Sequence, residues 1–331
     1  MQAAVFQEVR QPLVVEQRET PEPGAGEVLV RLKAAALNRR DYWISQGLYP
    51  AIQAGVIQGS DGAGVVEAVA DDVDSGWIGK EVVINPGLQW GDDSQVQSRQ
   101  FHILGMPRHG TFAEATTVPV SSVFEKPTHL DWQQAAALPL AGVTAYRAIT
   151  RAEITKGSLV LITGIGGGVA LMAMQLSLAL GARVLVTSSS QKKLDRALEL
   201  GAQGGYLYSQ DDWVNQMLQD QGMVDAVIDG AGGAGYHHLL HLTESGGCIV
   251  NYGATAGPPE KMDLFKLFWK QLKLIGSTMG SPDDFQQMLE LVSRKKLIPV
   301  IDSVYSLGQV NQALDKMEAS PQFGKLVLSF S

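Results

Sequence analysis

The sequence predicts an α/β protein in two parts, a β-rich, partly open barrel and a doubly wound six-stranded parallel sheet. Three observations carry this. Residues 1–123 are broken by Gly and Pro into short runs that are β-branched or alternating. From residue 124 short apolar runs alternate with helical patterns. Beyond Gly280 that alternation gives way to a mixed tail, which is expected to return to the first part. The expected domains are therefore 1–123 with 279–331, and 124–278. A length of 331 residues suits two domains of roughly 150 each.

In the first part, residues 13–15, 28–32, 65–69 and 82–84 read as strands, and 87–100 lacks periodicity and reads as a surface loop. Asp131 is placed to cap a helix running from 132 to 150. Six strands follow at 159–162, 184–186, 206–208, 224–228, 248–250 and 272–275. The helices between them include 191–200, closed by Gly201, and 212–219. Repeated βα units require a parallel sheet covered by helices on both faces. The tail reads as a helix over 283–297, a strand, a helix over 310–317 and a last strand at 326–328.

With 26 Lys+Arg against 34 Asp+Glu the net charge is −8, and 18% charged with 45% hydrophobic residues is a globular composition. An acidic chain does not concentrate nucleic acid or anionic lipid, so neither is an expected partner. The single cysteine, Cys248, excludes a disulfide framework and a cysteine-based zinc knuckle, and fits a reducing cytoplasm. The first residues hold no basic stretch followed by an apolar block, so no export signal is expected. The smoothest apolar helix pattern, 169–180, is short of the roughly 20 residues that a bilayer needs and is expected in a core.

The strand at 159–162 leads into Thr163-Gly164-Ile165-Gly166-Gly167-Gly168-Val169-Ala170 and then the apolar helix. A strand-to-helix turn without Cβ atoms lets a pyrophosphate approach backbone amides and a helix N-terminus. Gly164, Gly166, Gly167, Gly168 and Val169 are the candidate dinucleotide contacts, the alternative being a tight turn with no ligand. A carboxylate ending the second strand would select NAD. Here the chain offers Thr187-Ser188-Ser189-Ser190-Gln191-Lys192-Lys193, hydroxyl and ammonium donors suited to a phosphate, which favours NADP(H). The alternative is serines that cap the next helix and solvated lysines.

These residues, together with Ala35-Ala36-Leu37-Asn38-Arg39-Arg40-Asp41, Gly59-Ser60-Asp61-Gly62-Ala63-Gly64-Val65-Val66, Leu138-Pro139-Leu140-Ala141-Gly142-Val143-Thr144-Ala145-Tyr146 and Phe323-Gly324-Lys325-Leu326-Val327-Leu328, carry a resemblance. The chain resembles zinc-independent medium-chain dehydrogenases/reductases of the quinone oxidoreductase type over its whole length. The resemblance implies a GroES-like catalytic domain, assembled from both chain ends around a Rossmann domain, with the active site in the cleft between them. Zinc-dependent alcohol dehydrogenases of that superfamily place Cys, His and usually a second Cys where this chain has Asn38, Ser60 and Leu140. The structural four-cysteine zinc loop is missing as well, so no metal is expected.

Without a Lewis acid, alkoxide is poorly stabilised, whereas a quinone or an enone accepts hydride readily and leaves an anion that hydrogen bonds can hold. The resemblance therefore implies an NADPH-dependent reductase of small quinones or α,β-unsaturated carbonyls. It carries nicotinamide-side contacts onto Asn38 and Thr144, and 2′-phosphate or adenosine contacts onto Ser188, Ser189, Lys193 and Tyr208. It also carries cofactor contacts onto Gly253-Ala254-Thr255 and onto Gly324 and Lys325. Gly47-Leu48-Tyr49-Pro50 matches the segment that holds the candidate acid in related enoyl reductases, with Tyr49 packing at a loop edge as the alternative. Asn38 and Asp41 join it as catalytic candidates, Asp41 being equally readable as a structural hydrogen-bond acceptor. A homodimer through the strand at 272–275 is also implied. His237 and His241 have a metal-compatible spacing but no companion glutamate or cysteine, and are expected on a helix surface. The rival reading is a dinucleotide-binding structural or interaction protein with little turnover, against which the polar Asn38, Tyr49 and Thr144 speak. A zinc alcohol dehydrogenase is a distant third.

Overall fold

The computed structural model describes residues 1–330. The chain divides into two compact units, Met1–Ala141 with the segment from Ser281 onward, and Gly142–Gly280. The division lies later than the change of texture near residue 124. The reason is that the first helix after it, at 132–136, packs on strands of the first unit.

In the first unit the chain forms β1 (Gln2–Phe6), β2 (Val14–Gln17), β3 (Glu27–Ala36), α1 (Arg39–Ser45), β4 (Val56–Ile57) and β5 (Asp61–Val69). It continues through β6 (Glu81–Ile84), β7 (Gly87–Leu88), β8 (His102–Ile103), β9 (Ala115–Pro119), β10 (Val123–Glu125) and α2 (Trp132–Ala136), and the next helix, α3 (Pro139–Arg151), carries the chain over the boundary into the second unit. The expected helix over 132–150 is two helices. Pro139 clashes with helical backbone before it, so α2 stops and α3 starts at the proline. The stretch 87–100 is not wholly a surface loop, because β7 pairs with β8 and Trp90 is buried.

β3 is the hub of the larger sheet. Val28, Val30 and Leu32 point into one core with Val66, Val82, Ile84 and Val118. β5 and β9 pair antiparallel to β3, and so does the last strand of the chain, β18 (Lys325–Ser329).

The second unit holds β11 (Leu159–Ile162), α4 (Gly168–Ala179), β12 (Arg183–Ser188), α5 (Gln191–Glu199), β13 (Gly204–Leu207), α6 (Trp213–Gln221), β14 (Val224–Asp229), α7 (Tyr236–Leu242), β15 (Thr243–Asn251), α8 (Leu264–Trp269) and β16 (Lys273–Gly276). The six strands form one sheet in the order β13-β12-β11-β14-β15-β16, every pairing parallel. The order reverses beside β11, and at such a reversal the loops leaving the strands part to form a ligand crevice. The fifth strand is longer than its apolar stretch at 248–250, because Thr243 pairs with Val224 across an irregular register.

The chain then forms α9 (Pro282–Lys295), β17 (Ile301–Ser306), α10 (Val310–Ala319) and β18 (Lys325–Ser329). β18 lies between β17 and β3, so the chain's end completes the sheet begun near its start. Among the described residues no helix is long and apolar enough to cross a membrane.

Candidate functional site

Strand register gathers polar residues at one corner of the first unit. Ala36, the end of β3, is paired with Asp61 at the start of β5 and with Val327 of β18. Asn38, Asp61 and Lys325 therefore converge although they lie far apart in sequence. Lys325 Nζ donates to Asn38 Oδ1 at 2.6 Å and to Asp61 Oδ2 at 2.8 Å. Asn38 Nδ2 donates to the same Asp61 oxygen at 2.9 Å. The other oxygen, Asp61 Oδ1, accepts from the Leu140 backbone N–H at 2.8 Å. Gly324 makes the approach possible: its φ is +128°, and a Cβ there would meet the Val300 carbonyl oxygen at 2.6 Å.

In the first turn of α1 lies Arg40, only 7% exposed. Its Nη1 donates to Ser60 Oγ at 2.6 Å and to the Leu104 carbonyl at 2.7 Å. Ser60 Oγ in turn donates to that same carbonyl at 2.8 Å. The guanidinium lies over the Tyr49 ring, 4.8 Å from its centre, with Nε 3.4 Å from the phenol oxygen. Tyr49 is half-buried, and its hydroxyl hydrogen has no acceptor among the described residues. Asp41 is fully buried. Its Oδ2 accepts from the Asn38 backbone N–H at 2.8 Å, and its Oδ1 has no partner. Burial pushes its carboxyl up to about 6, opposed by the nearby charges of Arg40 and Lys325. Arg40 was not singled out by sequence reasoning. The only signal for it was a basic pair beside Asn38, and basic pairs are usually solvated.

The positions of a zinc ligand set do not fit that metal. Asn38 has both ends of its amide engaged, Ser60 is bound on both sides and Leu140 has an aliphatic side chain. Two cations, the Lys325 ammonium and the Arg40 guanidinium, stand among them. Among the described residues no three His, Cys, Asp or Glu side chains come together as a metal site. His237, His238 and His241 lie on α7, partly exposed, with the first two rings 3.9 Å apart.

In the second unit the turn Thr163–Gly167 is tied to the end of β12: Gly164 N donates to Thr187 Oγ1 at 3.2 Å and Ile165 N to the Thr187 carbonyl at 2.8 Å. Gly164 has φ +64°, and a Cβ at Gly164 or Gly167 would meet nothing within 4 Å, so the space at the turn is open. α4 begins at Gly168 without a side-chain cap, which leaves its first amides, Gly168 and Val169 among them, for an anion. These features fit a pyrophosphate. Across the crevice Asp229 accepts from Thr163 Oγ1 at 2.6 Å, Gly232 N at 2.9 Å and Asn251 Nδ2 at 2.9 Å, which locks the ends of β11, β14 and β15 together.

At the end of β12, Ser188 is buried and its hydroxyl accepts from Ser190 N at 3.2 Å. Ser190 is the N-cap residue of α5, yet its side chain makes no capping bond. Ser189 and Tyr208 are exposed, and Lys193 is partly buried on α5. Gly253, Ala254 and Thr255 form an exposed turn held by Thr255 N and Oγ1 to the Gly230 carbonyl, at 3.1 and 3.2 Å. Thr144, on α3, is buried with its hydroxyl 3.8 Å from Met279 Sδ.

Known proteins resemble both parts of the chain. The family described as "Zinc-binding dehydrogenase" matches residues 168–294, and "Alcohol dehydrogenase GroES-like domain" matches residues 24–128. The chain is 35% identical to the zinc-type alcohol dehydrogenase-like protein YogA of Leptosphaeria maculans, over 97% of this chain and 95% of that one. It is 29% identical to an acryloyl-coenzyme A reductase of Sulfurisphaera tokodaii, over 99% of each. A crystal structure of a NAD-dependent alcohol dehydrogenase superposes with a TM-score of 0.94 over 100% of both chains, at 35% identity.

Proposed function

The chain belongs to the medium-chain dehydrogenase/reductase family, and from that premise we propose that it is an NADPH-dependent reductase of quinones or α,β-unsaturated carbonyls that works without zinc. As a family member it is a dinucleotide-binding oxidoreductase. The observation that carries the finer reading is the buried corner of the first unit, where two cations and a phenol stand among Asn38, Ser60 and Leu140. Hydrogen-bond donors of this kind hold an enolate or a hydroquinone anion but offer no Lewis acid to a simple alkoxide. The acryloyl-coenzyme A reductase among the similar proteins is named for such a conjugated substrate.

A bound dinucleotide supplies hydride. The amides at the start of α4 hold its pyrophosphate, and Asp229 keeps the crevice walls in register. NADPH is favoured over the NAD named for the similar alcohol dehydrogenase because β12 ends at Ser188 and is followed by Ser189 and Ser190, with no carboxylate there. Ser189 and Tyr208 are exposed there and free to face a 2′-phosphate. Tyr49, with its hydroxyl hydrogen unassigned to any acceptor, is the proton donor.

The decisive experiment follows NADPH oxidation with a naphthoquinone, an enal, an enoyl thioester and a simple saturated aldehyde. Turnover of one or more of the first three, with the aldehyde inert, is expected. Turnover confined to the aldehyde overturns the reading, and dinucleotide binding with no turnover of any returns the chain to a binding role.

A further inference from the structure

We propose that Arg40 is a catalytic residue, the cation that receives the negative charge formed on the substrate's oxygen. The inference rests on the reductase reading above and assigns the oxyanion's partner within it. Three observations point to it.

The first is a difference in pairing. Lys325 is neutralised directly by Asp61, at 2.8 Å. Arg40, equally buried, forms no direct carboxylate bridge among the described residues: buried Asp41 acts on it only through its charge, and its accepting partners are a serine hydroxyl, a phenol oxygen and two backbone carbonyls. A guanidinium stays protonated at any working pH, so this charge is permanent. A buried cation whose hydrogen bonds all go to neutral acceptors keeps its capacity to bind an anion directly. The second is unused donor capacity. Nη2 makes only a 3.4 Å contact, to the Met106 carbonyl, so at least one of its two N–H groups is left for a ligand. The third is place. The guanidinium touches Ser60, one of the three positions where metal-dependent relatives carry ligands, and lies against Tyr49, the donor of the proton.

The chemistry then balances. An enone that accepts hydride at its β-carbon gains a C–H bond there. Its C=C pair moves to form a new double bond towards the carbonyl carbon, and the carbonyl π pair moves onto oxygen, while NADPH becomes NADP⁺. The enolate oxygen takes an N–H of Arg40, and the proton that completes the saturated product at the α-carbon comes from Tyr49. A fixed donor aimed at charge that develops only during reaction lowers the barrier without tightening the ground state.

The test uses the full-length protein with NADP⁺ and crotonate, a short unsaturated carboxylate that carries the negative charge in the ground state. Calorimetry is expected to show crotonate binding to the wild type, about 10- to 100-fold weaker binding to Arg40→Met, and an intermediate loss in Arg40→Lys, which keeps the charge without the fork. With an enone, Arg40→Met should lose kcat with KM little changed. NADP⁺ affinity and the thermal midpoint identify any variant that fails to fold, in which case Arg40→Lys carries the comparison. Unchanged crotonate affinity and kcat in folded Arg40→Met, while the wild type reduces enones, overturn the role of Arg40 and leave the reductase reading standing. A wild type that reduces neither enone nor quinone overturns that reading instead, and with it the catalytic role assigned here.

Discussion

Lys325 and Asp61 are 264 positions apart and meet at 2.8 Å, with side chains 5% and 0% exposed. The pair ties the end of the chain to its first third and, through Asp61 Oδ1 and the Leu140 amide, to the start of α3. Removing one partner of a buried pair leaves an uncompensated charge, at a cost of about 3–5 kcal/mol. Lys325→Met should therefore lower the unfolding free energy measured in urea by that much, and adding Asp61→Asn should restore part of it. Additive losses in the double variant would show that the two side chains do not depend on one another.

Asp41 imposes a pH dependence of unusual sign. Its folded value of about 6 lies above the ordinary 3.8, so between about pH 4 and 6 the folded chain holds a proton that the unfolded chain has released. The contribution to stability is full below that window and is lost as pH rises through it, by up to about 3 kcal/mol. Asp41→Asn keeps an acceptor for the Asn38 amide and removes the titration. The stability difference between wild type and variant, measured from pH 4 to 7, should change by about that amount. A constant difference would refute the assignment.

How far the sequence could be read follows from what each feature depends on. The parallel sheet was legible because β11, β12 and β14 to β16 each contain a short apolar run and are separated by helical patterns, a local signal. The return of the tail was legible from its broken rhythm. The corner formed by Asn38, Arg40, Asp61 and Lys325 was not, because it depends on β3 pairing with β5 on one side and β18 on the other. Asn38, Asp41, Tyr49 and Lys325 were named through resemblance, but no local pattern says that Lys325 clasps Asn38, or that Arg40 is buried. The break between α2 and α3 was there to be read in Pro139, and was missed because the apolar pattern runs straight across it.

Cofactor choice is testable at Lys193. A charge-assisted contact to phosphate is worth about 1.5–3 kcal/mol, so Lys193→Ala should weaken NADPH binding about 10- to 100-fold and leave NADH nearly unchanged. Fluorescence titration of both cofactors checks it. Equal wild-type affinities would count against the choice of NADPH.

The second unit leaves an edge to be covered. β16 ends the sheet with one side unpaired, and α8 just before it exposes Phe265, Phe268 and Trp269 by 64%, 61% and 72%. An open apolar edge invites another strand, and β16 of a second copy, antiparallel across a two-fold axis, would satisfy it. Light scattering at micromolar concentration should return a dimer, and a joint Phe268→Glu and Trp269→Glu change should shift it towards monomer. A monomeric wild type would leave this edge unexplained.

The last expectation concerns Tyr49. Its ring packs beside the first unit's core and beneath the Arg40 guanidinium, and Phe retains both contacts. Tyr49→Phe therefore removes only the hydroxyl, whose hydrogen lacks an acceptor among the described residues. An enolate left by hydride transfer needs a proton on carbon, a slow transfer for which a placed acid contributes about 10²–10⁴-fold, and kcat with an enone should fall by that order. A quinone leaves an oxygen anion that water protonates fast, so its turnover should fall far less. The ratio of the two losses is the measurement, because a loss of fold or of NADPH affinity would lower both alike. Equal and small losses, with the thermal midpoint unchanged, would confine Tyr49 to packing against Arg40.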